Sequence, residues 1–153
     1  MNMPSFLSSL SSTPYALVFA GQATPWRESL DEVAHDPEIA ALLGRVLAAS
    51  DDLLSPVRRE LATQSVASLP FSLPAAAGEP NGPDEAALSV PGIVLSQLGA
   101  LMDLSRAGVD FASHPPVAFE GHSQGVLGVE VARAWIDGDE ARAATVFALA
   151  RLI

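Results

Sequence analysis

Two short apolar runs that each close on a glycine constrain this chain more than any other feature. The stretches "YALVFAG" (15–21) and "PPVAFEGHSQG" (115–125) are rich in strand formers, and helical spacing follows each of them. Strands that alternate with helical connections build a parallel sheet with helices on both sides. The expectation is therefore an α/β chain, with parallel strands at Tyr15–Ala20 and Val117–Glu120 whose carboxyl ends lie at one sheet edge. Ligands of open α/β sheets bind beyond that edge.

The segments between the strands carry helix signals. In "TPWRESLDEVAHD" (24–36), Thr24 is placed to cap and Pro25 to open a helix. In "DPEIAALLGRVLAASDDLL" (36–54), Asp36 and Pro37 repeat the arrangement, and Ile39, Leu42, Leu43, Val46 and Leu47 form one apolar stripe. Ser55 and Pro56 suggest another start at 55–64. Residues 65–84 hold Pro70, Pro74, Gly78, Pro80, Gly82 and Pro83, and read as a loop or insertion. The stretch 84–110 reads as a long buried helix that starts after Pro91 and stops at Gly108. Helices are expected over 125–138 and from Asp139 to the end. Residues 1–14 form an N-terminal extension, and 15–153 form one unit.

Composition narrows the function classes. The chain has 153 residues, 49% of them hydrophobic, which suits a single core. With 18 acidic and 8 basic residues its net charge is −10. Such a surface repels phosphate backbones and anionic headgroups, so neither nucleic acid nor membrane is an expected partner. The absence of cysteine removes disulfides, thiolate metal sites and cysteine nucleophiles. No metal or bound cofactor is expected. The N-terminus has no Lys or Arg before its first apolar run, unlike a signal peptide, and no apolar run reaches the roughly 18 residues of a spanning helix. The expected location is the cytoplasm. The final "GDEARAATVFALARLI" (138–153) ends on Leu152 and Ile153 with no stop signal, which reads as a helix cut short inside a larger protein.

The chemistry lies in "FEGHSQGVLG" (119–128). Gly-x-Ser-x-Gly between a strand and a helix is the pattern of a nucleophile elbow. Its turn is so tight that side chains at Gly121 and Gly125 would strike neighbouring backbone, and it thrusts the Ser123 hydroxyl outward. The helix that follows aims its amides at the same point, so the Gln124 backbone N–H is an oxyanion donor. His122 adjoins Ser123, but neighbours in a sharp turn point apart, so it reads as structural support rather than base. His35 and His114 read as loop or capping residues. A serine hydroxyl needs a base, and none of these histidines is well placed to be one.

Two motifs together carry a family resemblance. "VFAGQATPW" (18–26) resembles the Phe-x-Gly-Gln-Gly strand end of malonyl- and acetyl-CoA:acyl-carrier-protein transacylases. "VAFEGHSQGVLGVE" (117–130) resembles their Gly-His-Ser-x-Gly elbow, and "SVPGIVLSQLGAL" (89–101) lies between them. The whole is most similar to the N-terminal part of the acetyltransferase domain of type I fatty acid synthases. The resemblance implies an α/β-hydrolase-like subdomain, incomplete in this chain. It also implies Ser123 as acyl acceptor, the Gln22 and Gln124 backbone N–H groups as oxyanion hole, and Gly121, His122 and Gly125 as supports of the elbow. Acyl-CoA would be the substrate and an acyl carrier protein, with its phosphopantetheine thiol, the acceptor. The remainder of the acyltransferase domain and synthase would be the wider partners, in an oligomeric assembly. Ala23 departs from the family motif, which has glycine there.

In that family the catalytic histidine lies well downstream of the elbow, so it is expected beyond Ile153, and the chain alone is expected to turn over slowly. Malonyl-specific members carry an arginine about 25 residues past the serine, whose guanidinium grips the free carboxylate. Here that count lands on Ala148, with Arg142 and Arg151 to either side, so acetyl is expected over malonyl. A serine hydrolase or thioesterase on the same elbow, or an inert structural section of the synthase, are the competing readings.

Overall fold

The structure is a computed structural model, and it describes residues 5–10, 12–21, 25–64, 71 and 85–152. Among the described residues six helices and two strands follow one another as α1 (Ser5–Leu10), β1 (Ala16–Phe19), α2 (Trp26–Ala34), α3 (Pro37–Thr63), α4 (Glu85–Arg106), β2 (Ala118–Gly121), α5 (Gly125–Ile136) and α6 (Glu140–Ala150). The fold is mixed α/β and mostly helical. Gln22 and Thr24, and all of the 65–84 segment except Phe71, lie outside the described residues.

β1 and β2 pair in parallel, from Ala16 opposite Ala118 to Phe19 opposite Gly121. The second strand begins one residue later than expected, although Val117 N–H already bonds Tyr15 C=O at 2.9 Å. Alternation puts Leu17, Phe19 and Phe119 on the face that meets α5, in a cluster with Leu7 of α1, Leu101 of α4, and Val129 and Ala132 of α5. The other face bears Ala16, Val18, Ala118 and Glu120, all exposed, with Val18 at 71%. Helices on both sides of the sheet are thus not what the described residues form. The reason is that the remaining helices bury their stripes on one another: α2 on α4, α3 on α6, and α5 on both α4 and α6.

That helical layer holds the main core. Leu30, Leu43, Val94, Leu95, Leu98 and Phe147 are within 1% of complete burial. Phe71 reaches in from the segment before α4 and packs edge-on against Phe147 at 6.0 Å and, tilted, against Trp26 at 6.2 Å. α3 opens as its sequence suggests. Pro37 takes the first helical position, and the Asp36 carboxylate accepts from the Glu38 and Ile39 amides at 2.9 and 3.2 Å.

Three prolines behave differently from expectation. Pro25 sits at the N-cap of α2 rather than inside its first turn. Pro56 does not open a new helix but lies inside α3, and Pro91 lies inside α4 rather than before it. An interior proline removes one N–H and costs about 3 kcal/mol, so packing must outweigh it. Around Pro56 the turns are tied by Arg58 to Asp51 at 2.8 Å and Arg59 to Ser55 Oγ at 2.7 Å. Pro91 is itself a fully buried core residue, flanked by Val90 and Ile93. Because Pro91 does not split it, the 20-residue run Ala87–Arg106, with a mean hydropathy of 1.5, is long and apolar enough to cross a membrane, contrary to the sequence expectation. Its side chains Ile93, Val94, Leu95, Leu98 and Met102 are core members of this fold.

α6 begins near its expected start, with Asp139 as N-cap accepting from the Arg142 amide, and it closes at Ala150 instead of running on, with Arg151 as C-cap. The Arg151 side chain is 4% exposed and pairs with Asp51 of α3 at 2.8 Å while donating to Ser50 Oγ at 2.7 Å. Burial alone would raise the Asp51 carboxyl, but hydrogen bonds from Arg58 and Arg151 outweigh it and hold the pKa below its ordinary value. A carboxyl with a depressed folded-state pKa stabilises above its unfolded pKa of about 4, and that contribution is lost as pH falls through the lower folded value. Arg151→Ala should therefore cost about 1–3 kcal/mol at neutral pH, discounted because Asp51 is partly solvated, and less below about pH 4. Urea titrations at neutral pH and at pH 3 read both; an equal cost at the two values would contradict the ion-pair account.

Candidate active site

Ser123 stands between β2 and α5 with φ +54°, the only non-glycine residue with positive φ among the described residues. A left-handed conformation costs an L-residue about 1–2 kcal/mol and is kept only where surroundings force it. The forcing groups are visible. His122 N–H bonds Phe19 C=O at 3.3 Å, which keeps the chain on the sheet for one residue past β2. Gly125 N–H then bonds His122 C=O at 2.9 Å, Val126 N–H bonds Ser123 C=O at 3.1 Å, and the helix is under way. The reversal from strand to helix is completed within Ser123 and Gln124.

Both flanking glycines are sterically required. A Cβ built on Gly125 would lie 2.2 Å from the Phe19 oxygen, and one on Gly121 would lie 2.5 Å from the Gly125 oxygen. Strand exit and helix entry are in backbone contact, which any side chain would prevent. Ser123 is consequently exposed, at the first turn of a helix whose amides face it.

The first motif meets the second here. β1 ends at Phe19, and two residues later Gly21 is buried against the elbow, so close that a Cβ on it would sit 2.5 Å from the His122 oxygen and 3.1 Å from the Ser123 Cβ. Gly21 itself therefore lies beside the serine, while Gln22 is outside the described residues. The sequence predicts the tight contacts of Gly121 and Gly125 and the meeting of the two strand ends at one edge; it does not single out Gly21 as a point of steric contact.

The hydroxyl of Ser123 donates to the Oε1 of the neighbouring Gln124 at 2.8 Å. A neutral amide oxygen accepts a hydrogen bond but cannot take the proton. The histidines serve elsewhere: His35 ends α2 with its Nδ1 at the Asp31 carbonyl, His114 contributes its carbonyl to the Tyr15 hydroxyl at 2.6 Å, and His122 is exposed beside the serine. The arginines nearest the expected carboxylate-binding position are also engaged. Arg142 pairs with Glu130 and Arg151 with Asp51, while Ala148 is a core residue at 6% exposure. Among the described residues no three His, Cys, Asp or Glu side chains gather as a metal site.

Comparison of the chain with protein-family models, with curated proteins and with solved structures finds no match.

Proposed function

We propose that this chain carries the nucleophile half of an acyltransferase, in an α/β-hydrolase-like arrangement. Ser123 accepts an acyl group from a CoA thioester and passes it to the thiol of a carrier protein's phosphopantetheine arm. The observation that carries this reading is the left-handed Ser123, held between two glycines that admit no Cβ. Strain of this kind at an exposed hydroxyl points to a functional position.

In the first half-reaction the Ser123 oxygen attacks the thioester carbonyl, and its proton leaves for a base. The carbonyl oxygen becomes an oxyanion, stabilised by backbone N–H groups at the start of α5 and in the Gly21–Gln22 loop. The carbon–sulfur bond then breaks, CoA departs as the thiol with the proton, and an ester remains on Ser123. The second half-reaction is the same sequence in reverse, with the carrier thiol attacking the ester. An uncharged acyl group is favoured, because Arg142 and Arg151 have acidic partners and a buried free carboxylate without a cation costs several kcal/mol.

No histidine is seen bonded to Ser123, so the chain by itself should acylate slowly, lacking the roughly 10²–10⁴-fold help of a positioned base. Acetyl-CoA and malonyl-CoA are offered separately, with and without a pantetheine thiol. The expected result is more ester from acetyl than from malonyl, and faster discharge to the thiol than to water. Discharge to water alone would make the protein a hydrolase. Rapid turnover abolished by His35→Ala or His114→Ala would reveal a complete site and contradict this account.

A further inference from the structure

We infer that Gln97 is a positioning residue of this site, clamping the backbone at Ala20 and Gly21 beside Ser123; the inference rests on the reading of Ser123 as acyl acceptor. Gln97 lies on α4, 77 residues from Ala20 in sequence, and its Nε2 donates to the Ala20 carbonyl at 2.8 Å. Ala20 immediately precedes Gly21, whose α-carbon abuts the Ser123 side chain. Because a backbone carbonyl can only accept, the atom facing it must be the amide nitrogen.

The other end of the same amide touches α5. Gln97 Oε1 is buried without a hydrogen-bond partner, and a Cβ built on Gly128 would lie 2.1 Å from it. One side chain thus spans the two elements that make the site, the exit of β1 and the helix behind the elbow. Gly128 leaves the room it needs. An orphaned buried acceptor is costly, and a core helix would avoid it with an apolar residue unless the nitrogen at the other end were needed. That nitrogen fixes the Ala20 carbonyl, one residue before the glycine packed against the nucleophile. A displacement of Ala20 and Gly21 by about 1 Å would shift the backbone packed against Ser123 while leaving substrate contacts elsewhere untouched.

The test uses the full chain and p-nitrophenyl acetate, with acylation of Ser123 followed by intact mass. Gln97→Met keeps the length and loses the donor. It should slow acylation at saturating ester about tenfold, with the half-saturating concentration unchanged and the fold intact by thermal melt. Gln97→Glu supplies a readout that mere packing cannot. An ionised carboxylate repels the Ala20 carbonyl, whereas the protonated acid donates to it as the amide does. The deficit of Gln97→Glu relative to wild type should shrink as pH falls through the carboxyl range, while that of Gln97→Met stays constant. Parallel deficits across pH, or none in either variant, would overturn the inference. Amide exchange over residues 16–21 is measured in the same proteins. If the wild type acylates no better than Ser123→Ala, the acyl-acceptor reading fails on its own. The clamp is then judged by exchange: faster in Gln97→Met upholds it, unchanged overturns it.

Discussion

Gly125→Ala should unseat the elbow, lowering the free energy of unfolding by about 3 kcal/mol and abolishing acylation of Ser123. The new methyl carbon would lie 2.2 Å from the Phe19 oxygen, 2.9 Å from the Phe19 carbonyl carbon and 3.1 Å from the Ala20 oxygen. All three are backbone atoms, and Phe19 is paired with Gly121 in the sheet. No flexible side-chain end is available to move aside, so either β1 shifts or α5 lifts. Each response pulls Ser123 away from the Gly21 loop. Gly44 on α3 provides the control, since among the described residues nothing beyond its own stretch of helix backbone and its chain neighbours lies within 4 Å of a Cβ there. Gly44→Ala should be stabilising by up to about 1 kcal/mol from helix propensity alone. Urea denaturation of the two variants reads the contrast, and a Gly125→Ala protein as stable as wild type would contradict the close strand–helix approach.

Ser123→Gly is expected to abolish acyl-enzyme formation and yet stabilise the fold by about 0.5–1 kcal/mol. Glycine takes φ +54° without the penalty of roughly 1–2 kcal/mol that a Cβ imposes there, although its greater unfolded-state entropy offsets part of the gain. Ser123→Ala also removes the nucleophile but keeps the Cβ, so its stability should remain near wild type. The difference between the two inactive variants isolates the backbone strain from the loss of the hydroxyl. Equal stabilities would mean the turn is relaxed, and the exposed serine would lose its strongest mark of function.

The parts of this fold that were legible in sequence are those set by local chemistry. The Asp36–Pro37 start of α3, the strand–elbow–helix run from Ala118 to Ile136 and the start of α6 near Asp139 each depend on residues within one or two turns of one another. Pro91 departs from proline's local preference for a helix start because it is wholly inside the core, whereas Pro56 is exposed within α3, where Arg58 and Arg59 tie the turns around it to Asp51 and Ser55. The open outer face of the sheet was equally hidden, since alternation in "ALVF" says which residues share a face but not whether anything covers it. At the site, the serine and its glycines could be read from a five-residue pattern. The family resemblance brings the two strand ends together, but the steric need for glycine at 21 and the Gln97 bond to Ala20 have no local sequence signal, because they form only when distant segments fold together.

The central claim is that Ser123 is the atom that takes the acyl group. The most direct measurement is peptide mapping of the full chain after prolonged incubation with acetyl-CoA, beside a Ser123→Ala control. The account predicts one acetyl ester, on the peptide spanning the elbow and localised to Ser123, and its absence from the control. Acetyl groups scattered over other hydroxyls, or labelling undiminished in Ser123→Ala, would contradict it.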